Sequence, residues 1–343
     1  MKKNNDLLTP NELTPEAKTS MKTRIISGIV AAIIIVPTLI IGDYFTFALV
    51  GIMVILGTYE IVHCAKMKYN PALYIVAIIL ALTMAYWPLI RALPSVFSGN
   101  GPSSDLILYS SFSDINISPL VIGLGAFAVF FMVIIDKGFT VRDACFLFTM
   151  IVIITLGFQS ALYLRYLPSH YYHQADLTAP TGFFNTYDNL ESSLLVLFVI
   201  FATIMTDIGA YFIGVFFGKH KMNPRISPKK TWEGFFGGII ISSAFSFGVS
   251  MILFATGHPY IVGLFDLQHW YLILVLSLIL PLVSTLGDFV FSSSKRHFNI
   301  KDFGNIMPGH GGVLDRLDSL LFSFITTAVF IEMFEYWSPL FKK

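Results

Sequence analysis

Charged residues are scarce in this sequence. Lys, Arg, Asp and Glu make up 13% of the 343 residues, whereas soluble domains contain roughly 25%. Apolar runs recur from residue 25 towards the C-terminus, and 55% of the composition is hydrophobic. The scarcity of charge excludes an ordinary soluble domain. It predicts an all-α, polytopic integral membrane protein with about nine transmembrane helices.

Cysteine is rare in this sequence, and a cleavable leader is not expected. Its two cysteines, Cys64 and Cys145, lie in or beside apolar runs, so packing roles are expected rather than a disulfide framework. A polar lead, residues 1–22, precedes the first apolar run and is expected to be disordered. Because that run is long and has no small-residue cleavage pattern at its end, no signal peptide is expected.

Nine apolar runs predict the membrane spans. They cover residues 25–41, 44–64, 73–90, 119–135, 144–164, 194–217, 235–255, 271–291 and 313–330. Polar loops are expected at 91–118 and 165–189. Nearly all the intramembrane charges follow residue 190, so we expect a supporting half, 23–190, and a catalytic half, 191–343.

The Lys and Arg residues are distributed unevenly between the two sides of these spans. If the N-terminus is cytoplasmic, all but four of the 22 Lys and Arg residues fall in cytoplasmic segments. The exceptions are Arg91, Arg165, Lys342 and Lys343. Cytoplasmic loops carry an excess of these residues. We therefore expect the N-terminus and the polar segments 218–230 and 292–312 to face the cytoplasm, where nucleotides are found.

The segment 292–318 combines cations, carboxylates and glycines between two apolar runs. Asp288, Ser292 and Lys295 are spaced i, i+4 and i+7, and they share one face if the helix continues to Lys295. An intramembrane carboxylate needs a partner, and oxygen ligands suit Mg²⁺. Asp315 and Asp318 could complete such a shell. In the alternative interpretation, Asp288 pairs with Lys295 or Arg316 for structure alone.

Two loops carry residues that could bind phosphate. Glycines 309, 311 and 312 surround His310 before a predicted helix start, where backbone N–H groups can approach an anion. The segment 218–234 contains five cations against Glu233 alone. It is interpreted either as an anchor to anionic lipid headgroups or as a phosphate grip formed by Ser227, Lys229 and Lys230.

Two other carboxylates lie in or at the end of apolar runs. Asp207 lies within the sixth apolar run. A carboxylate there indicates either a functional site or a helix–helix hydrogen bond. Glu60, at the end of the second, is interpreted as an interfacial polar residue.

These residues closely resemble the signature of phosphatidate cytidylyltransferases, also called CDP-diacylglycerol synthases. The resemblance is carried by Ser292-x-x-Lys295-Arg296, Lys301-Asp302, Gly287-Asp288 and the run Pro308-Gly-His-Gly-Gly-Val-Leu-Asp-Arg-Leu-Asp318. Upstream, Asp207-x-x-Ala210-Tyr211-x-x-Gly214 and the run Ile226–Gly234 resemble a second region of the same family. The strong likeness covers about residues 200–320. The family often has arginine at the position of Val215, so Lys219 or Arg225 is expected to take that phosphate contact.

The resemblance implies that CTP and phosphatidic acid react to form CDP-diacylglycerol and pyrophosphate, with Mg²⁺ required and a second cation, K⁺, as a further expectation. The expected partners are CTP, phosphatidic acid, membrane lipid and a second copy of the chain, and no nucleic acid. The expected location is a bacterial cytoplasmic membrane. Catalytic roles are assigned to Asp288, Lys295, Asp315 and Arg316; substrate binding to Ser227, Lys229, Lys230, Ser292, Arg296, Lys301, His310, Gly311 and Gly312; and metal ligation to Asp288, Ser292, Asp315 and Asp318.

Three other functions make different predictions. A transporter would use Asp207 and Asp288 as an ion path, but it predicts inverted repeats, which the sequence does not show. A related CTP-dependent membrane enzyme, such as a polyprenol or phytol kinase or an archaeal-lipid cytidylyltransferase, would differ in its lipid pocket. A non-catalytic lipid-binding scaffold would not need the carboxylate cluster.

Overall fold

The computed structural model describes residues 15–64, 71–97, 118–175, 186–306 and 311–341. Within these ranges the fold is helical, with one short β-hairpin. The helices are α1 (Pro15–Ile41), α2 (Asp43–Cys64), α3 (Pro71–Ala85), α4 (Trp87–Phe97), α5 (Pro119–Ile135), α6 (Val141–Ala175), α7 (Thr186–Phe217), α8 (Trp232–Ala255), α9 (Trp270–His297) and α10 (Leu314–Phe341). The strands are β1 (Lys221–Asn223) and β2 (Ser227–Thr231).

The apolar helices support a polytopic membrane protein, but the expected count of nine spans is not confirmed. Among the described residues, six helices are long and apolar enough to cross a membrane, and the bent pair of α3 and α4 would make a seventh. The apolar parts of α1 and α5, Ile26–Ile41 and Pro119–Ile135, are shorter. All nine predicted runs nevertheless fall on helices. Helix α1 begins at Pro15, inside the predicted polar lead, of which residues 1–14 lie outside the described ranges.

The third predicted span, 73–90, is wrong as a single helix. Helix α3 ends at Ala85, and α4 leaves it at an angle of 69°. Pro88 is the second residue of α4, where its missing N–H is tolerated, but it cannot donate a hydrogen bond back into α3. The break falls at Tyr86, and the chain continues as a helix to Phe97, where a loop was expected. The rest of that expected loop, 98–117, lies outside the described residues.

The predicted loop 165–189 is also wrong at its start, because α6 continues to Ala175. Arg165 is fully buried inside this helix. Its Nε donates to the carbonyl oxygen of Leu39, 2.8 Å away, and its Nη1 donates to Ser192 Oγ, 2.5 Å away. These partners come from α1 and α7, so Arg165 joins three helices. Residues 176–185 lie outside the described ranges.

Two clusters of buried apolar side chains form the core, and neither follows the proposed division at residue 190. The first joins α2, α3, α5 and α6 with Phe291, Phe303, Leu314 and Leu321. The second joins side chains of α6 and α7 with others from α8 to α10. Residues of α9 and α10 thus pack into both clusters. The assignment of a supporting and a catalytic half stays a prediction.

Helices α7 and α8 approach closely along a line of small residues. A Cβ added at Gly234 would lie 2.7 Å from the carbonyl oxygen of Ala210, and one added at Gly238 would lie 2.9 Å from that of Thr206. Small residues allow membrane helices to pack with their backbones in contact. The close packing of α7 and α8 fixes the position of the β-hairpin that connects them.

The expected basic loop between these helices is a β-hairpin. Lys221 pairs with Thr231, and Asn223 pairs with Ser227. The Glu233 carboxylate fixes the base of the hairpin, since it accepts hydrogen bonds from the backbone N–H groups of Lys219 and His220 at 3.1 and 3.2 Å. The lysines of β2 are therefore carried on a rigid strand.

Candidate active site

Helix α9 carries the first group of predicted site residues. It continues to His297, so the condition for a shared face, a helix that reaches Lys295, is met. Ser292 Oγ donates a hydrogen bond to Asp288 Oδ1 at 2.9 Å, as the i, i+4 spacing requires. Lys295 lies on the same side of the helix and is 8% exposed.

Helix α10 reaches this face of α9 because of a glycine. A Cβ at Gly287 would lie 2.8 Å from the carbonyl oxygen of Asp318, so the two backbones are almost in contact there. The Asp318 carboxylate is within electrostatic range of Asp288 and Lys295. The backbone N–H of Ser319 donates to this carboxylate at 2.7 Å.

Asp315 is bound on both of its carboxylate oxygens by protein donors. Lys295 Nζ donates to Oδ1 at 2.8 Å. The backbone N–H groups of Phe303 and Gly312 donate to Oδ2 at 2.8 and 2.9 Å. The Asp315 side chain is 4% exposed. It therefore ties α9, the loop after α9 and the start of α10 together.

Asp288 forms an ion pair with a lysine that the sequence analysis did not name as its partner. Its Oδ2 forms an ion pair with Lys230 of strand β2, whereas Lys295 pairs with Asp315. The Lys230 ammonium also lies 4.5 Å from the centre of the Phe289 ring. The Asp288 and Lys230 side chains are 25% and 28% exposed. The hairpin thus brings a lysine to the carboxylate of α9.

A cavity of about 510 Å³ lies beside this ion pair. Its walls come from α7, both strands of the hairpin, the start of α8 and the middle of α9. Its lining residues are Asp207, Ala210, Tyr211, Gly214, Val215, Lys221, Met222, Lys229, Lys230, Thr231, Gly234, Phe235 and Thr285. The cavity combines three lysines and one carboxylate with an otherwise mainly apolar lining.

Asp207 joins this site from α7, although the sequence left its role open. Its carboxylate lines the cavity and is within electrostatic range of Asp288, Lys230 and Arg316. Asp207 and Asp288 thus lie near the Lys230 ammonium, and Asp318 of α10 is within electrostatic range of both carboxylates. Within the described ranges, however, no group of three or more His, Cys, Asp or Glu side chains is arranged to hold a metal ion by itself.

The other predicted substrate-binding residues are placed differently. Lys229 and Lys230 line the cavity, whereas Ser227 begins β2 and is not among the lining residues. Lys221 also lines the cavity, whereas Lys219 and Arg225 are not among its lining residues. The expected phosphate contact of Lys219 or Arg225 stays a prediction.

Arg296 binds the protein itself. Its Nε donates to the carbonyl oxygen of Ile226 at 3.3 Å, and its Nη1 donates to that of Ile300 at 2.9 Å. It therefore connects the hairpin turn to the loop after α9. Lys301 is exposed on that loop. His310 lies outside the described residues.

The loop before α10 is shaped by its glycines. Gly311 has a φ of 87°, in the left-handed region that favours glycine. Gly312 donates its N–H to Asp315, as described above, so this N–H is used within the protein. The predicted anion contacts of the two glycines stay predictions.

The interpretation of Glu60 as an interfacial residue is wrong. Its side chain is 1% exposed, and it accepts hydrogen bonds from the backbone N–H groups of Val313 and Leu314 at 2.8 and 2.9 Å. These partners are more than 250 positions away, so no local pattern could identify them. The available signal was a carboxylate near the end of an apolar run, which needs a partner.

Comparisons with known proteins identify the family of this chain. The model of the cytidylyltransferase family matches residues 22–334. A phosphatidate cytidylyltransferase of Staphylococcus saprophyticus is 31% identical over 302 residues, which are 88% of this chain and 95% of the relative. The enzyme of the same name from Staphylococcus haemolyticus is 30% identical over 305 residues, with the same coverage. The one from Staphylococcus epidermidis is 44% identical over 142 residues, 41% of this chain and 50% of the relative.

A helical membrane fold in which three lysines and one carboxylate line a cavity indicates the class of protein, an integral membrane protein with a site for anions. The match over most of the chain then gives the family: this chain belongs to the cytidylyltransferase family. The predicted resemblance is thereby confirmed. A transporter and a non-catalytic scaffold are not supported.

Proposed function

We propose that this protein transfers the cytidylyl group of CTP to phosphatidic acid, forming CDP-diacylglycerol and pyrophosphate. The observation that carries the proposal is the ion pair between Lys230 and Asp288 beside a cavity that Lys221 and Lys229 also line. The family match and the names of the relatives identify the nucleotide and the lipid. The geometry supports the same chemistry, because both substrates are phosphate anions that need cations to approach each other.

The reaction is an exchange of one bond at the α-phosphorus of CTP. An oxygen of the lipid phosphate forms a bond to this phosphorus, and the bond to the bridging oxygen of the β-phosphate breaks. The electron pair of that bond leaves with pyrophosphate. The attacking oxygen is already ionised at neutral pH, so the protein need not supply a strong base. The task of Lys221, Lys229 and Lys230 is to hold phosphate oxygens in line and to balance their charge.

The residues of the site fit a magnesium ion. Asp288, Ser292 and Asp318 offer oxygen donors, and Mg²⁺ is commonly bound through one or two carboxylates together with substrate phosphates. Asp288 is the accessible member of the set. Asp315 would join it if Lys295 moved off Oδ1. When bound, such an ion would neutralise charge on the phosphates during transfer. Lys230 would then pair with a phosphate oxygen in place of Asp288.

The cavity wall offers a path for a lipid. Tyr211 and Val215 line the cavity, yet they are 66% and 62% exposed on the outer surface of α7. The cavity is therefore continuous with an apolar surface that faces lipid in a membrane. We propose that phosphatidic acid enters from the side, and that CTP enters from the cytoplasm past the hairpin. The distribution of Lys and Arg supports this orientation.

The test uses the purified full-length chain in detergent with CTP labelled in its α-phosphate, phosphatidic acid and Mg²⁺. The proposal expects lipid-soluble label and an equal amount of pyrophosphate. Removal of divalent cations with EDTA should stop incorporation, and added Mg²⁺ should restore it. Absence of lipid-soluble label from a folded protein under these conditions would refute the proposal.

The choice of lipid separates the proposal from the related CTP-dependent enzymes. Phosphatidic acid is replaced in parallel assays by a polyprenol, by phytol and by an archaeal-type ether lipid phosphate. The proposal expects the highest kcat/KM with phosphatidic acid. The two alcohols are assayed with CTP labelled in its γ-phosphate, because a kinase transfers that group and releases CDP. A higher value with either alcohol would show a lipid kinase.

A further inference from the structure

Glu60 in α2 holds the start of α10 from across the molecule. Helix α10 begins at Leu314, and the first N–H groups of a helix have no partner inside it. Each carboxylate oxygen of Glu60 accepts one such group: Oε1 from Val313 and Oε2 from Leu314. A carboxylate is also the favoured charge at a helix N-terminus. Glu60 therefore acts as a cap supplied by a distant helix.

The loop before α10 is built around this carboxylate. A Cβ added at Gly304 would lie 2.6 Å from Glu60 Oε1, and one added at Gly312 would lie 2.5 Å from it. Any other residue would push the carboxylate away. Two glycines of the loop thus pack directly on Glu60, and the contact is specific in shape as well as in charge.

Glu60 and Asp315 fix the same segment from opposite sides. Asp315 binds Phe303 and Gly312 through their N–H groups and pairs with Lys295. Glu60 binds the next two N–H groups along the chain. The first turn of α10, which also carries Arg316 and Asp318, is therefore fixed in position along its axis.

Glu60 does not line the cavity proposed for the substrates. It faces a second cavity of about 370 Å³, whose walls include Tyr59, His63, Asp302 and Asn305. Its contact with the site passes through the backbone of α10. This placement separates a role in positioning from direct contact with CTP or lipid.

We infer that Glu60 is a positioning residue for cytidylyl transfer: it sets the place of Asp315, Arg316 and Asp318 by capping α10. The inference rests on the proposed function. Misplacement of reacting groups by about 1 Å can cost roughly 100-fold in rate. Loss of the cap should therefore lower kcat much more than it changes the KM for CTP.

The main test is Glu60→Gln, which keeps the size of the side chain. In the wild type, each of the two backbone N–H groups donates to one carboxylate oxygen. In the variant an amide NH₂ replaces one of these oxygens and cannot accept, so one of the two hydrogen bonds is lost. We expect kcat to fall by about 10- to 100-fold, while the KM for CTP stays within about threefold. Glu60→Asp keeps the charge but shortens the reach, and it should retain more activity than Glu60→Gln.

Asp266→Asn is the matched control. Asp266 accepts hydrogen bonds from the backbone N–H groups of Gln268 and His269, both at 2.9 Å, just before α9. It is a carboxylate at a helix start, as Glu60 is, but Asp288 lies about 27 Å further along the helix at 1.5 Å per residue. Asp266→Asn should affect thermal stability and leave kcat unchanged.

A second variant tests the same contact from the loop. Gly304→Ala should displace the Glu60 carboxylate and lower kcat in the same way. The double variant Glu60→Gln/Gly304→Ala should be little worse than either single variant, because both remove one contact. Multiplicative losses would show that Gly304 acts by another route, and would count against the inference.

The outcomes can be distinguished from failure of the proposed function. If the wild-type chain forms no CDP-diacylglycerol, the function itself fails. If the wild type is active and folded Glu60→Gln keeps its kcat, only the positioning role is overturned. If Glu60→Gln does not accumulate in membranes, Glu60→Asp and Gly304→Ala decide, and wild-type kcat in both would overturn the inference.

Discussion

Asp288 and Asp315 were both predicted as metal ligands, yet the protein holds them in different ways. The Asp315 side chain is 4% exposed, and its oxygens accept from Lys295 and from two backbone N–H groups. The Asp288 side chain is 25% exposed, and its partners are the Ser292 hydroxyl and Lys230 of the hairpin. One carboxylate is tied to the backbone, whereas the other has side-chain partners beside a cavity.

The difference shows which of the two can exchange partners at low cost. Lys230 can leave Asp288 for a phosphate without disturbing any backbone hydrogen bond. A change at Asp315 affects the loop after α9 and the start of α10 together. We therefore expect both residues to matter for activity, but Asp315 alone to matter strongly for stability.

Asp288→Asn should have the largest effect on turnover. Loss of the accessible negative charge should lower kcat by about 1000-fold or more, because charge compensation is the main contribution to this type of transfer. The melting temperature should stay within about 3 °C of wild type. The measurement is label incorporation per folded enzyme, together with thermal unfolding in detergent. Near-normal turnover would remove Asp288 from the site.

Asp315→Asn should lower both activity and stability. It leaves the buried Lys295 ammonium without its carboxylate, and breaking a buried ion pair costs about 3–5 kcal/mol. We expect a fall in melting temperature several times larger than that of Asp288→Asn. Equal melting temperatures for Asp315→Asn and Asp288→Asn would show that the two carboxylates do not differ in their contribution to stability.

Lys230→Gln should have an intermediate effect, since Lys221 and Lys229 remain at the cavity. We expect the KM for CTP to rise by about tenfold, equivalent to about 1.4 kcal/mol for one charged contact. Lys137→Gln removes an exposed charge between α5 and α6 and is the control. An unchanged KM in Lys230→Gln would show that this lysine serves only to pair with Asp288.

Asp266→Asn should have the smallest effect, and its size should depend on pH. Burial raises the pKa of Asp266, but hydrogen bonds from the His269 side chain and from the backbone of His269 and Gly263 outweigh burial and hold it below its usual value. The stabilisation is therefore present at neutral pH and is lost as pH falls through the lowered pKa. We expect a loss of about 2 °C in melting temperature at pH 7 and a smaller difference near pH 3.

The sequence predicted those parts of the fold that depend on local pattern. The apolar runs identified every helix that carries the site, and the spacing of Asp288, Ser292 and Lys295 gave the shared face of α9. The break beside Pro88 was missed because the apolar composition continues through it. The burial of Arg165 was missed because its partners, Leu39 and Ser192, come from other helices.

The site was predicted less completely than the helices that carry it. Lys230 was named as a phosphate ligand, but its pairing with Asp288 depends on the hairpin, whose register no local signal gave. Glu60 was assigned to the interface because its partners at Val313 and Leu314 lie at the far end of the chain. Contacts of this kind follow from packing, and a single sequence does not contain a local pattern for them.

Binding of Mn²⁺, a spectroscopically visible substitute for Mg²⁺, tests the central claim most directly. The free Mn²⁺ signal is titrated with wild-type protein and with Asp288→Asn, each in the presence of CTP. If Asp288 holds the ion, the variant should bind Mn²⁺ at least about tenfold more weakly, in line with the loss of a ligand or its support. Equal Mn²⁺ affinity in the two proteins would contradict the account.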